Sequence, residues 1–96
     1  MRYHFDWDPT KARENVQKHK VSFQHAATVF RDSYALSIFD NDHSQEEDRW
    51  ITLGRDDHGI IIVVCHTFRQ SDKVSAFIRI ISARKGTKKE RQNYEG

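Results

Sequence analysis

Residues 60–67 read Ile60-Ile61-Ile62-Val63-Val64-Cys65-His66-Thr67, and the first six are apolar without alternation. Such a run marks a strand covered on both faces, which places it inside a sheet with helices packed on at least one side. Outward from it, Trp50 to Leu53 and Ala76 to Ser82 read as further strands, and Leu36 to Phe39 as another. Asp/Asn/Gly-rich turns such as Arg55 to Gly59 separate them. The connections are too short for parallel crossovers, so these strands should pair antiparallel. At the start of the chain Tyr3, Phe5 and Trp7 alternate with His4, Asp6 and Asp8, the period of a half-buried strand.

The helices are marked by their ends. Asp8 and Pro9 form an N-cap followed by proline at the first helical position, where its missing N–H costs nothing, and the helix should run from Pro9 to His19. Its apolar face, chiefly Ala12 and Val16, is thin, so much of its surface stays wet and basic. Ser22 is a second N-cap, with Val21 and Ala26 placed as a hydrophobic staple. Phe23, Ala26, Ala27 and Phe30 then form the stripe by which a helix sits on a core. Thr87 and Glu90 have capping-box spacing, so a short basic helix starts at Lys88 and runs to about Tyr94. The order is β, α, α, β, β, β, β, α. The expected fold is α+β, a five-stranded antiparallel sheet with Pro9 to Phe30 as a helical hairpin on one face and a short C-terminal helix.

With 96 residues, positions 1–96 should form a single domain. No apolar stretch approaches the ~20 residues of a membrane span, and Met1 to Asp8 has no signal-peptide pattern, so a cytoplasmic protein with no membrane partner is expected. Cys65 is the single cysteine and reads as a small buried hydrophobe. The formal net charge of +2 conceals a strong segregation. Lys11 to Arg31 carries +4, Asp32 to Asp57 carries −6, and Arg84 to Gly96 carries +3. If the basic segments meet in space they form a positive face suited to phosphate or an acidic partner. Asp40 to Asp48, with five acidic residues and no apolar anchor, reads as an exposed loop.

Six histidines invite a metal reading, but no His-x-x-x-His pair and no cysteine partner supports one. A solvated strand face accounts for His4, Asp6 and Asp8. No metal or other cofactor is expected, and neither a nucleophilic-serine turn nor a glycine-rich phosphate loop is present. Arginine is more suggestive. Arg79 alternates against Ile78 and Ile80, Arg49 opens a strand, His66 and Arg69 end the apolar strand, and Arg84 follows the last one. An arginine inside a strand implies a salt bridge or an anion site, because it is costly to bury unpaired.

Taken in order, these elements resemble the BrnT toxin family: Phe5-Asp6-Trp7-Asp8, Asn15 with Lys18-His19, Val21-Ser22-Phe23 with Ala26 and Val29-Phe30, Arg49 with Gly54, and Ile78-Arg79-Ile80-Ile81-Ser82-Ala83-Arg84 with Glu90-Arg91 and Tyr94. The resemblance spans nearly the whole chain. It implies a RelE-like fold, ribonuclease activity that blocks translation, and neutralisation by a BrnA-like antitoxin with a dimeric DNA-binding domain, operator DNA being met only through that complex. Two departures stand out. Lys20 occupies a position where the family usually has glycine, and His66 one where tyrosine or another non-histidine residue is expected.

RNA carries its own nucleophile, the 2′-hydroxyl, so cleavage needs only proton removal, charge stabilisation at phosphorus and protonation of the leaving oxygen. No metal is required. On the resemblance and on residue type, His19 is the candidate for proton transfer, with Glu90 or Tyr94 as alternatives. Arg79 and Arg84 would stabilise the charge. Lys11, Lys18 and Lys88, with Arg49 and Arg69, would hold RNA phosphates. The competing reading is a non-enzymatic module that docks an antitoxin and assists its DNA binding through a basic face. Convergence of His19, Arg79 and Arg84 on one pocket would separate the two.

Overall fold

The apolar run forms the middle of the sheet, as its lack of alternation requires. The computed structural model describes residues 1–95. The chain runs through β1 (Arg2–Asp6), α1 (Pro9–His19), α2 (Phe23–Thr28) with a 3-10 turn at Val29–Arg31, and β2 (Leu36–Phe39). A 3-10 turn at Asn41–His43 follows, then β3 (Arg49–Arg55), β4 (Ile61–Thr67), β5 (Arg69–Gln70), β6 (Ser75–Lys85) and α3 (Lys88–Glu95). The strand order is β1-β6-β4-β3-β2, with β5 also pairing β6.

Two expectations about the sheet need correction. It has six strands rather than five, and it is mixed rather than antiparallel, because β1 runs parallel to β6 from Arg2 opposite Ser75 to Asp6 opposite Arg79. The short connections do forbid parallel pairing between successive strands, but β1 and β6 are joined by the whole intervening chain. The extra strand, β5, is two polar residues long and has no period to detect. The expected element order therefore gains a strand between the third and fourth sheet strands of the C-terminal half.

One face of the sheet carries the core. Val21, Phe23, Ala26 and Val29 from the helical segment pack on Ile62, Val64, Ile78, Ile80 and Ala83, with Tyr3, Phe5, Trp7, Ala12, Ala27 and Phe30 around them. Asp8 and Ser22 cap α1 and α2 as their sequence positions imply, accepting from Thr10 N–H at 3.2 Å and His25 N–H at 3.1 Å. Lys20 ends α1 at φ 60°, ψ 30°, the left-handed conformation that favours glycine. Gly54 lets β3 approach the 3-10 turn, since a Cβ there would lie 2.8 Å from Val29 Cγ1.

The second face is covered over part of its area. Ile61 and Val63, which alternate with the core residues of β4, are also buried. Gly86 N–H donates to Ile61 O at 2.9 Å, and α3, which follows directly, packs on β3. Thr87 and Glu90 form the reciprocal capping box, at 2.8 Å and 3.2 Å. The other part of this face, where β1, β5 and the first half of β6 meet, remains open.

Candidate functional site

Strand alternation puts Phe77 and Arg79 on the open face, because Ile78 and Ile80 point into the core. Register supplies their neighbours. Phe77 lies opposite His4 on β1 and opposite Arg69 on β5. The His4 imidazole stacks on the Phe77 ring with centroids 5.1 Å apart and planes at 29°, and the Arg69 guanidinium sits 5.0 Å from the same ring. The next rung is Asp6 and Arg79, paired at 3.3 Å, with Arg79 N–H donating to the Thr67 hydroxyl at 3.3 Å. Arg49 lies opposite Thr67 on β3, and its Nε is buried without a hydrogen-bond partner among the described residues. Phe77 is 43% exposed although it lies in the middle of three paired strands. An exposed imidazole–phenyl–guanidinium stack is a surface against which a nucleobase can pack while cations meet its phosphates.

Arg84 lies further along β6, beside α3. Its guanidinium makes two bonds to the Glu90 carboxylate, at 2.7 Å and 3.0 Å. The hydrogen bonds from Arg84 pull the Glu90 pKa down to about 2 against the partial burial of the carboxyl, and the same contact raises that of Arg84. Further along α3, the Tyr94 hydroxyl donates to Asp32, and its pKa is raised by that bond. Burial pushes Asp32 upward, but bonds from Arg55 N–H, Tyr94 and Tyr34 N–H outweigh it and hold the carboxyl below its ordinary value. Arg55 stacks over the Tyr94 ring at 5.3 Å and pairs with Glu95 at 3.5 Å. Glu90, Tyr94 and Glu95 thus fasten α3 to the sheet and to the turn after α2.

Residues 7–90 match the family described as the ribonuclease toxin, BrnT, of type II toxin-antitoxin systems. The chain belongs to the BrnT family. Its fold is similar to the 1.1 Å crystal structure of the Brucella abortus ribonuclease toxin, BrnT, with a TM-score of 0.63 and 22% identity over 92% of this chain and 100% of that one. A search of the curated proteins finds no match.

Within this BrnT fold the residues singled out in the sequence fall into separate groups. Arg79 and Lys11 line one cavity together with Trp7, Asp8, Pro9, Ile80 and Ile81, and that cavity contains neither His19 nor Arg84. His19 is at the far end of α1, eight residues and therefore about 12 Å from Lys11. Arg84 is five residues along β6 from Arg79, about 16 Å. Lys18 lies in the last turn of α1 and Lys88 opens α3. His19, Arg79 and Arg84 therefore do not share one pocket. Conversely, nothing in the sequence singles out Phe77 or His4: alternation makes His4 a solvated strand residue, and only the β1–β6 register shows that it stacks on Phe77 beside Arg79.

His66, the other departure from the BrnT pattern, is 2% exposed and lies edge-on to Phe30. Its Nδ1 lies 2.9 Å from Thr67 O, an oxygen that can only accept, so Nδ1 carries the proton and Nε2 accepts from the Thr52 hydroxyl at 2.7 Å. Thr52 in turn lies 2.7 Å from the Ser37 hydroxyl. Burial lowers the His66 pKa, which keeps this chain neutral. The arrangement satisfies a core histidine.

Proposed function

We propose that this chain is an endoribonuclease that cleaves RNA without metal on the open sheet face, and that it works as the toxin of a pair with a BrnA-like antitoxin in the cytoplasm. Family membership carries the class of activity. The observation that supports the place is the pair of rungs His4–Phe77–Arg69 and Asp6–Arg79–Thr67, built from β1, β6, β5 and the end of β4.

The chemistry follows from what these groups can do. A base packs against the exposed His4–Phe77–Arg69 stack, and the guanidinium groups of Arg69 and Arg79 face the adjoining phosphate. Imidazole suits proton transfer near neutral pH, and in this reading His4 rather than His19 takes the 2′-hydroxyl proton, because His4 shares the face with both arginines. The 2′-oxygen attacks phosphorus and the 5′-oxygen leaves, recovering a proton from the imidazolium through solvent. Products are a 2′,3′-cyclic phosphate and a 5′-hydroxyl. Charge that develops on the phosphoryl oxygens is met by Arg79 and Arg69, while Arg84, about 16 Å along β6 and held by Glu90, meets a phosphate further along the strand. Asp6 orients Arg79. Lys11, Lys18, Arg49 and Lys88 hold flanking phosphates, which adds affinity without base specificity.

The test is cleavage of a single-stranded RNA by purified protein in EDTA, with end-group analysis of the products. His4→Ala and Arg79→Ala should each lower the rate at least about 100-fold, within the range expected for a proton-transfer group or a charge-stabilising donor, while His19→Ala leaves it nearly unchanged. Full activity in His4→Ala with loss in His19→Ala would move the proton transfer back to α1. Activity that EDTA abolishes and Mg²⁺ restores would refute the metal-free mechanism.

A further inference from the structure

Three side chains able to ligate a metal meet where α2 passes the turn between β3 and β4. His25, Asp57 and His58 each offer one ligand atom, and these atoms lie within 4.8 Å of one another. The two imidazoles stand edge to face, with centroids 4.5 Å apart and planes at 78°.

Both sides of the cluster are fixed by the fold. On the helix side, the Ser22 cap holds His25 N–H and so places His25 in the first turn of α2. On the turn side, the buried Asp56 accepts from His58 N–H and Ile60 N–H, both at 2.9 Å, and Gly59 turns the chain at φ 79°. Thr28 fastens the two together: its hydroxyl donates to His25 O at 2.6 Å and accepts from Asp57 N–H at 2.9 Å. The backbones that carry all three ligands are therefore in place before any ion arrives.

Two imidazoles and a carboxylate suit zinc, nickel or cobalt, whereas magnesium and calcium take oxygen ligands. A tetrahedral zinc ion ~2.0–2.2 Å from each donor sets the donors roughly 3.4 Å apart. The observed spread closes to that value by rotation of the side chains, which the exposure of Asp57 and His58 permits. Competition for the carboxylate is weak: the Thr28 hydroxyl gives its proton to His25 O and lies 3.4 Å from Asp57 Oδ1. We propose that His25, Asp57 and His58 form a zinc-class metal site that ties α2 to the β3–β4 turn, with a fourth position open to water. The site is built from residues distinct from those of the open sheet face, so chelation lowers stability without removing a group that acts on RNA.

The experiment uses tag-free protein stripped of metal, titrated with Zn²⁺ by calorimetry and with Co²⁺ by visible absorption. One equivalent of zinc should bind, cobalt should show the d–d bands of a low-coordinate ion, and the melting temperature should rise with zinc concentration. His25→Ala and His58→Ala should each weaken binding by more than about tenfold, since even loss of an outer partner costs a metal site that much, and should remove the thermal shift. Circular dichroism checks that both variants fold, and Asp57→Asn, which keeps the shape, should weaken binding on its own. Absence of saturable zinc binding overturns the proposal. So does binding that both histidine variants retain, which would assign the ion elsewhere.

Discussion

The side-chain amide of Asn15 takes the place of a strand beside Ala83. Its oxygen accepts from Ala83 N–H at 3.1 Å, and its nitrogen donates to Ala83 O at 2.8 Å and to Val21 O at 2.9 Å. The β1–β6 pairing ends at Arg79, so without Asn15 the core half of β6 would present unpaired backbone groups to the interior. One buried side chain joins α1, the loop after it and the sheet. Asn15→Ala should cost about 3 kcal/mol, since each orphaned buried group costs roughly 1–3 kcal/mol. Asn15→Asp, equal in shape but without the donor, should do no better. Urea unfolding measures both, and a loss below about 1 kcal/mol in each would show that water replaces the amide without penalty.

Lys20 shows the opposite case, a residue that the fold tolerates against its preference. It closes α1 in the left-handed region, and its N–H still caps Val16 O at 2.9 Å. Lys20→Gly should relieve the side-chain clash of that conformation while adding freedom to the unfolded chain. The net gain expected is about 0.5–1 kcal/mol, read as a higher urea midpoint at unchanged slope. A lower midpoint would mean that the contact of Lys20 Nζ with Gln17 O, 3.2 Å in this structure, outweighs the strain.

How far the sequence could be read depends on the distance over which each feature is decided. The caps at Asp8, Ser22 and Thr87 and the burial of Ile61 to Val64 are set by neighbours in the chain, and they appear where the pattern puts them. The parallel β1–β6 pairing depends on partners some seventy residues apart, such as His4 and Phe77, and no local period reports it. The same gap conceals the candidate site. Arg79 was legible because an arginine inside a strand is unusual, whereas the meeting of His4, Phe77 and Arg69 exists only after three strands have found their register. The cluster of His25 with His58 is invisible for the same reason.

Acid should destabilise the fold in two stages. His66 is buried neutral, so its pKa is depressed when folded; as pH falls below the ordinary histidine value the unfolded chain takes up a proton that the folded chain refuses, and stability drops. Glu90 is held ionised by Arg84, down to about 2. Its contribution is fully present above the ordinary carboxylate value and disappears as pH falls through about 2. Because the pair is partly exposed, solvent screening limits that contribution to roughly 1 kcal/mol. Glu90→Gln should flatten the stability profile below about pH 4.5, the ordinary carboxylate range, and leave the stage near neutrality unchanged. A profile identical to the parent's in the acid range would show that the Arg84 pair adds nothing to folding.

Phe77 offers a test of the stacking surface that leaves the core alone, because its ring is 43% exposed. Stacking of a base on an aromatic side chain is worth about 1–3 kcal/mol. Phe77→Ala should therefore weaken binding of a short single strand carrying a 2′-deoxy block at the cleavage position by about 5- to 150-fold, while Phe77→Trp retains it. Fluorescence anisotropy gives the affinities. Equal binding by the alanine variant would place the bases somewhere other than this face.

The partner should be readable in association kinetics. A toxin must be held inactive while it is made, and an inhibitor can do this by covering the substrate surface with groups that imitate phosphate. The segments 11–31 and 84–96 carry +4 and +3. The fold puts α1 against β6 and starts α3 directly beyond the end of that strand, so the two basic segments adjoin one strand. An acidic, partly disordered antitoxin segment that orders along this surface would meet Lys11, next to Arg79, and Lys18 and Lys88 beyond it. Such charges mainly speed encounter, while buried apolar anchors set residence time. Reversing Lys11, Lys18 and Lys88 to glutamate together should slow association at least about tenfold at low salt and flatten its salt dependence, with little change in dissociation. Stopped-flow binding to the cognate antitoxin measures each rate. If association is indifferent to the triple reversal, the antitoxin does not cover this surface and must inhibit from another face.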